Sequence, residues 1–533
     1  MLSFFPTLPI VTAVFLYIFP FKKAGKAIAI MAQAALVTAS AYLFYFVRFL
    51  SEHESIASAI GNYDGILGII LRADILSSIL IMLVSFIFFV VSLYRFHEDD
   101  GKLFWFFLFT WQGLLNGIFL TGDMFNRFVL IEVVTVIVSV LIMFNKDNRS
   151  LYDGLLHLMV NTVAIKFYLF GIGFIYRLTG ALDTHAAREA IVYIDNSYLI
   201  LPFALIMTAA MLKCALVPLY SWFPKAAGTG GAPTVVSAIL AGLHIKSGIY
   251  MFIRFQAIFS EIDVSGFFLI IGIVTGIVGF IWALAQTDIK LMLAYSTISQ
   301  MGLIFAGLNL SDAYAQIGST YHIINHTLFK TALFLCAGLV MKAYNTRDIN
   351  EVCGVFRRMP VVGAAMAMAI LGITGTPFFN GSISRYFMLS GADAFMSAAI
   401  MLINLGTILV FIKFSAMFFG GETGQGSIKV DVCKQAAIIS LGVLCLAGGI
   451  FGEELIGFLF DVSASVDAAG YLEKTLFFLL SAGAGFFMYK YYLSSSRLLV
   501  KVRQTDIGFR GMCVLMGVFF AVILMVTNAA VYY

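Results

Sequence analysis

The sequence predicts an all-α polytopic membrane protein, on three observations. Only 12% of the 533 residues are charged, 61% are hydrophobic and 53 are phenylalanine, whereas a soluble chain carries about 25% charged residues. Apolar runs recur at the roughly 20 residues that cross a bilayer. Backbone in lipid must satisfy its own hydrogen bonds, so runs of that length have to be helices.

Sixteen such runs follow one another, near 3–20, 26–50, 73–94, 103–121, 126–144, 153–178, 198–220, 233–254, 266–285, 289–308, 316–342, 361–389, 394–419, 433–452, 472–492 and 510–530. They are called spans 1 to 16 below. The first could pass for a signal peptide. It lacks a basic leading region and a small-residue cleavage site, and Pro6 and Pro9 interrupt it, so it is read as a retained helix. The longest gaps, 179–197 and 453–471, leave no room for a soluble domain. The expected division is 1–100 for spans 1–3, 101–260 for spans 4–8, 261–420 for spans 9–13 and 421–533 for the C-terminal spans.

Basic residues set the orientation. Loops after odd-numbered spans hold roughly twenty Lys and Arg, among them Lys22, Lys23, Lys26, Lys342, Arg347, Arg357, Arg358, Arg497, Lys501 and Arg503, against about seven on the other side. The odd loops are therefore expected in the cytoplasm and both termini outside, in a prokaryotic cell membrane. A net charge of +4 gives no reason to expect nucleic acid. The cysteines, Cys214, Cys336, Cys353, Cys433, Cys445 and Cys513, occur singly with no CxxC, so no iron–sulfur cluster or structural metal is expected. No nucleotide-binding loop is present either, and no cofactor is expected.

Ionisable residues inside spans are costly and are functional candidates by default. They are Glu132 (span 5), Lys166 (6), Lys213 (7), Lys246 (8), His322, His326 and Lys330 (11), Arg385 (12) and Lys413 (13). Lys166 and Lys413 stand near helix ends and have the alternative of reaching for the interface. Lys213 follows a long run without charge, and Lys246 sits in the middle of VVSAILAGLHIKSGIYMFI. His322, His326 and Lys330 share one helix face. YHIINH resembles a zinc pair but lacks the glutamate of HExxH and any evident third ligand, so a proton-exchanging histidine fits better than a metal site. His244 lies on a different face from Lys246 and is read as structural.

These charges are ordered. Lys166, Lys213 and Lys246 fall on spans 6, 7 and 8, and Lys330, Arg385 and Lys413 on spans 11, 12 and 13. An offset of five reverses the chain across the bilayer, which is the parity of two inverted five-helix repeats, spans 4–8 and 9–13. Prolines repeat the offset: Pro218 and Pro224 end span 7, and Pro377 lies inside span 12 beside Gly372, Gly375 and Gly381. Proline frees a carbonyl and interrupts a helix, so spans 7 and 12 are predicted to be discontinuous. About fourteen core helices are expected, with two further spans at the C-terminus.

Five segments in order, DMFNRFVLIE (123–132), MLKCALVPLYSWFPKAAGTGGAPTVVSAILAGLHIKSGIYMFIR (211–254), TDIKLMLAYSTISQMG (287–302), HTLFKTALFLCAG (326–338) and GTPFFNGSISRYF (375–387), resemble the antiporter-like subunits of respiratory complex I, Mrp-type Na⁺/H⁺ antiporters and membrane-bound hydrogenases. The resemblance covers most of 100–420. It implies a proton- or Na⁺/H⁺-translocating subunit working with other membrane subunits of such an assembly. It further implies that Glu132 is the buried glutamate that pairs with Lys213, that Lys246 is the next relay lysine, and that His326, with Lys330 one turn on, is the histidine of the central helix. Arg385 stands in the place of the terminal Lys or Glu. The sequence departs from the family at Gln300, where histidine is frequent, at Leu219-Tyr220-Ser221-Trp222 in place of Phe-His-x-Trp, and at Arg385 itself. The gap near 493–509 is too short for the long lateral helix of the largest complex I subunit.

Burial disfavours a charged lysine and a nearby carboxylate favours it, so motion of Glu132 relative to Lys213 is expected to load and release a proton. The energy must come from a redox partner or an ion gradient. A stand-alone secondary transporter and a structural subunit with an inert path are the alternatives that the sequence leaves open.

Overall fold

The computed structural model describes residues 2–19, 22–51, 55–62, 68–420, 426–463, 465–493 and 496–532. Among the described residues, fourteen helices, from Ala24–Leu50 to Phe509–Tyr532, are long and apolar enough to cross a membrane. Two shorter apolar helices, Phe4–Ile18 and Pro360–Thr374, fall where spans 1 and 12 were expected. All sixteen predicted runs are therefore helical.

Aspartates open many of the spans. Asp74, Asp123, Asp147, Asp288, Asp312 and Asp393 precede spans 3, 5, 6, 10, 11 and 13, and each accepts a backbone N–H from the first turn. A carboxylate there satisfies donors that have no partner within the helix and meets the positive end of the helix dipole. The scarce acidic residues thus mark the membrane edges.

Spans 7 and 12 are both interrupted. Span 7 runs as Asn196–Lys213, breaks through a cis Val217–Pro218 bond, and resumes as Trp222–Gly228. Span 12 runs as Pro360–Thr374, turns at Gly375 with φ 75°, and resumes as Asn380–Met388. Span 8 is irregular in another way: a five-residue π-helical turn, Leu240–His244, lies between Thr234–Ile239 and Lys246–Ile258. Small elements fill the gaps. A hairpin of Ile56–Ala59 and Ile70–Ala73 precedes span 3, and short helices Thr184–Ile191, Gly452–Phe460 and Arg497–Arg503 occupy the longer connections.

The chain forms two compact units. One comprises Met1–Cys214, Leu243–Val264 and Gly508–Tyr533; the other comprises Ala215–Gly242 and Ser265–Ile507. The chain passes from one to the other at the break in span 7, within the π turn of span 8, after Val264 and after Ile507, so five sequence segments alternate between the two units.

Each unit contains the same staple. In the first, Asp123 and Asp183 form an isolated antiparallel bridge, with Met124 N donating to Leu182 O and Thr184 N to Gly122 O, both at 2.9 Å. In the second, Asp288 and Asp348 do the same, with Ile289 N donating to Arg347 O and Ile349 N to Thr287 O, both at 2.9 Å. The bridges close spans 5–6 and spans 10–11, again five spans apart. Within the second unit, Gly272 and Gly279 of span 9 let the backbone of span 10 approach directly, and a β-carbon on Gly302 of span 10 would lie 2.2 Å from Gly276 N. Small residues at such a seam are how membrane helices gain packing without a hydrophobic driving force.

Candidate functional site

The first unit gathers Glu132, Lys166, Lys213 and Lys246. Span 5 presents Glu132, Thr135 and Ser139 at helical spacing. The Glu132 carboxylate forms an ion pair with Lys166 of span 6. The Lys166 side chain is 45% exposed and that of Glu132 21%, so both sit at the edge of the unit. Lys213, the last residue before the break in span 7, is buried and donates to Thr135 Oγ1 at 3.1 Å. The pairing expected between Glu132 and Lys213 is thus not a direct one: a nearer lysine takes the carboxylate, and Lys213, one turn along span 5, is held by a hydroxyl.

Lys246 is 1% exposed and lies two residues after the end of the π turn. Two residues on, a β-carbon at Gly248 would lie 2.7 Å from Cys214 N, so span 8 presses against the break of span 7. His244 stacks edge-on to Trp111 at 5.7 Å, a packing role. The sequence reading passed over His157 of span 6. It is fully buried, and its Nδ1 lies 2.8 Å from Ser139 Oγ, one turn from the hydroxyl that holds Lys213. The signal was present, a histidine inside an apolar run.

The second unit holds the other candidates. His326 is fully buried against the edge of Phe329. Lys330 donates to Ser296 Oγ at 2.5 Å and Leu293 O at 3.1 Å of span 10. Arg385, 5% exposed, reaches back across the break of span 12 and donates through Nη2 to Ile373 O at 2.6 Å. It thereby caps the first half-helix at its negative end. Lys413 performs the same task for span 9, donating to Leu284 O at 2.8 Å and Gln286 O at 2.5 Å. Lys213 precedes the break of its span, whereas Arg385 follows the break of its own.

Gln300 joins Arg385 to His322 and Thr407. Arginine only donates, so the Gln300 atom facing Arg385 Nη2 at 3.3 Å is the oxygen. The same oxygen lies 3.0 Å from His322 Nε2, and Gln300 Nε2 donates to Thr407 Oγ1 at 3.0 Å. His322 must then carry its proton on Nε2, leaving Nδ1 to face Ser384 Oγ at 2.8 Å. Neutral His322 accepts there from the serine; a second proton on Nδ1 would reverse that bond. The residue in the frequent histidine position therefore orients a neighbouring histidine through its side-chain oxygen. Two buried lysines were missed by sequence: Lys290 donates to Ala232 O at 2.8 Å, and Lys225 pairs with Asp506 at 2.6 Å. Each stands close to a helix end, where a lysine ordinarily reaches for solvent.

Fold and site together define a multi-pass membrane protein with cationic side chains buried at helix interruptions. The family model for the transmembrane region of NADH:quinone oxidoreductases and Mrp antiporters matches residues 121–412, and the chain belongs to that family. A Na⁺/H⁺ antiporter subunit of Alkalihalophilus pseudofirmus is 28% identical over 436 residues, covering 78% of this chain and 87% of the relative. An NADH-quinone oxidoreductase subunit of Desulforudis audaxviator is 29% identical over 426 residues, covering 73% and 83%. A chain of the Mrp complex from a Dietzia species superposes with a TM-score of 0.80 at 19% identity, covering 89% of this chain and 99% of that one.

Proposed function

We propose that this chain is an ion-translocating subunit of a multisubunit membrane complex, with the proton as the transported ion. The two sequence relatives are subunits of a Na⁺/H⁺ antiporter and of an NADH-quinone oxidoreductase. The observation that carries the reading is the burial of Lys213, Lys246 and Arg385 beside helix interruptions, and of Lys330 within the unbroken span 11, all at 5% exposure or less within the family-matched region. Hard cations such as Na⁺ bind cages of oxygen. The buried groups gathered here are mainly lysines, histidines and an arginine, which hold protons.

Glu132, Lys213 and Lys246 serve as exchanging groups in the first unit. His326, Lys330 and Lys413 do so in the second, with Arg385 as a fixed charge beside them. Other membrane subunits supply the driving reaction, and the basic loops support a cell-membrane orientation with both termini outside.

The test is proton transport by the purified complex in sealed vesicles. Lys213→Arg keeps the charge but cannot release a proton near neutral pH. It should assemble normally and lose transport. Wild-type transport in that variant would remove Lys213 from the path.

A further inference from the structure

The second unit contains a cavity of about 400 Å³ between the second half of span 12, span 13 and span 15 (Ala468–Met488). Leu389, Ile400, Met401 and Leu480 make most of its wall apolar. Its charged lining residues are Arg385, Lys474 and Glu473. The three helix ends that frame it lie at one membrane edge: span 12 finishes at Met388, span 13 starts at Ala394, and Asp467, which caps span 15, donates its N–H to Tyr386 Oη at 3.2 Å. Lys474 is thus about 10 Å along its helix from that edge, and Arg385 closer.

Arg385 brings unsatisfied donors to this cavity. Its Nη2 is used, but Nε and Nη1 have no partner, and neither has Asn404 Oδ1 on the facing wall. A buried guanidinium with open N–H groups is costly unless an acceptor arrives. The Lys474 ammonium donates to Tyr386 O at 3.1 Å and lies 3.8 Å from the centre of the Tyr386 ring, which leaves donors to spare. Glu473 is exposed and stands next to Lys474, so the lining keeps an excess of positive charge.

We propose that this cavity binds an acidic phospholipid. Phosphate oxygens accept from Arg385 and Lys474 at the headgroup level, and one acyl chain lies along Leu389, Ile400, Met401 and Leu480. Charge complementarity selects the acidic head, because a zwitterionic head would bring its own cation beside Arg385. Guanidinium groups are well matched to phosphate oxygens, and basic pockets between membrane helices bind such heads. The site does not depend on the route taken by protons.

The experiment is native mass spectrometry of the intact complex after delipidation, with phosphatidylglycerol, phosphatidylcholine and palmitate offered at equal concentration. One phosphatidylglycerol should be retained in preference to the other two. Lys474→Gln, on a half-buried helix face, should weaken that retention about fivefold, and Arg385→Gln should weaken it further. Met401→Trp, which fills the cavity without changing charge, should abolish it. Equal retention of phosphatidylcholine, displacement of the phospholipid by palmitate, or unchanged retention in both Lys474→Gln and Met401→Trp would overturn the proposal.

Discussion

Glu132 was legible in the sequence as an acid within a membrane span, but its partner was not. Lysines on spans 6 and 7 both lay within reach, and the rotation of each helix, set by packing, decides which one arrives. The Glu132–Lys166 pair lies midway along spans 5 and 6, so its exposed side faces lipid, where an unpaired charge is costly. Glu132→Gln should therefore lower transport about 100-fold, the lower end of what a positioned proton-transfer group supplies, and should also reduce the amount of assembled complex, because Lys166 loses its partner. Subunit content and vesicle acidification measure the two effects separately. Lys225 and Lys290 were illegible for a different reason: near a helix end, burial depends on what packs above it. Asp74 gives a pH prediction. Desolvation would raise its carboxyl, but the charge of Arg254, 2.6 Å away, and hydrogen bonds from Ser77 and Arg254 outweigh this and hold it below the ordinary value of 3.8. A depressed folded-state value stabilises above the unfolded value and is lost as pH falls through the folded one. Thermal stability should thus drop below about pH 4, and Asp74→Asn should flatten that drop. An equally steep acid loss in the variant would count against the pair.

Spans 7 and 12 show what proline and glycine reveal. Both interruptions were legible because Pro218 and Pro377 remove donors in runs otherwise long enough to be continuous. The π turn of span 8 was not, since an apolar stretch such as LAGLH reads the same in either winding. Nor was the hairpin before span 3, whose strands are only four residues each. The seam of spans 9 and 10 leads to a stability prediction. Gly302 has no room for a β-carbon against Gly276, and overpacking costs about 1–3 kcal/mol. Gly302→Val should lower the thermal midpoint of the purified protein by several degrees, whereas Gly266→Val, at an open position at the start of span 9, should not. Equal midpoints for the two variants would show that the seam adjusts freely.

At the scale of the whole molecule, the proposed orientation has spans 7 and 12 each crossing once despite their breaks, so that sixteen crossings bring both termini to one side, which the basic loops favour as the exterior. A single cysteine introduced beside either terminus should react with a membrane-impermeant maleimide added to intact cells; labelling of only one terminus would mean that an interrupted span turns back. The fold class was legible because lipid permits so few solutions to the backbone problem. The interleaving of two units was not, because nothing local in the sequence marks where a broken helix changes its packing partners. The staples at Asp123–Asp183 and Asp288–Asp348 give the five-span offset a structural counterpart. The proposal that spans 4–8 and 9–13 are inverted copies predicts that a superposition pairing these staples also pairs spans 7 and 12; failure to align those spans would refute it.

A five-residue π turn holds one residue more than the α-helical turn it replaces. Span 8 therefore carries a residue of slack just before Lys246. Removing Ala241 would let the turn revert to an ordinary one, with Arg254 still facing Asp74. Removing Ile249, beyond the slack, would swing Arg254 away by about 100°. Slack of this kind can also travel. Were the wide turn to move a few residues along, past Lys246, that side chain would rotate by about the same angle while both ends of the helix stayed where they are.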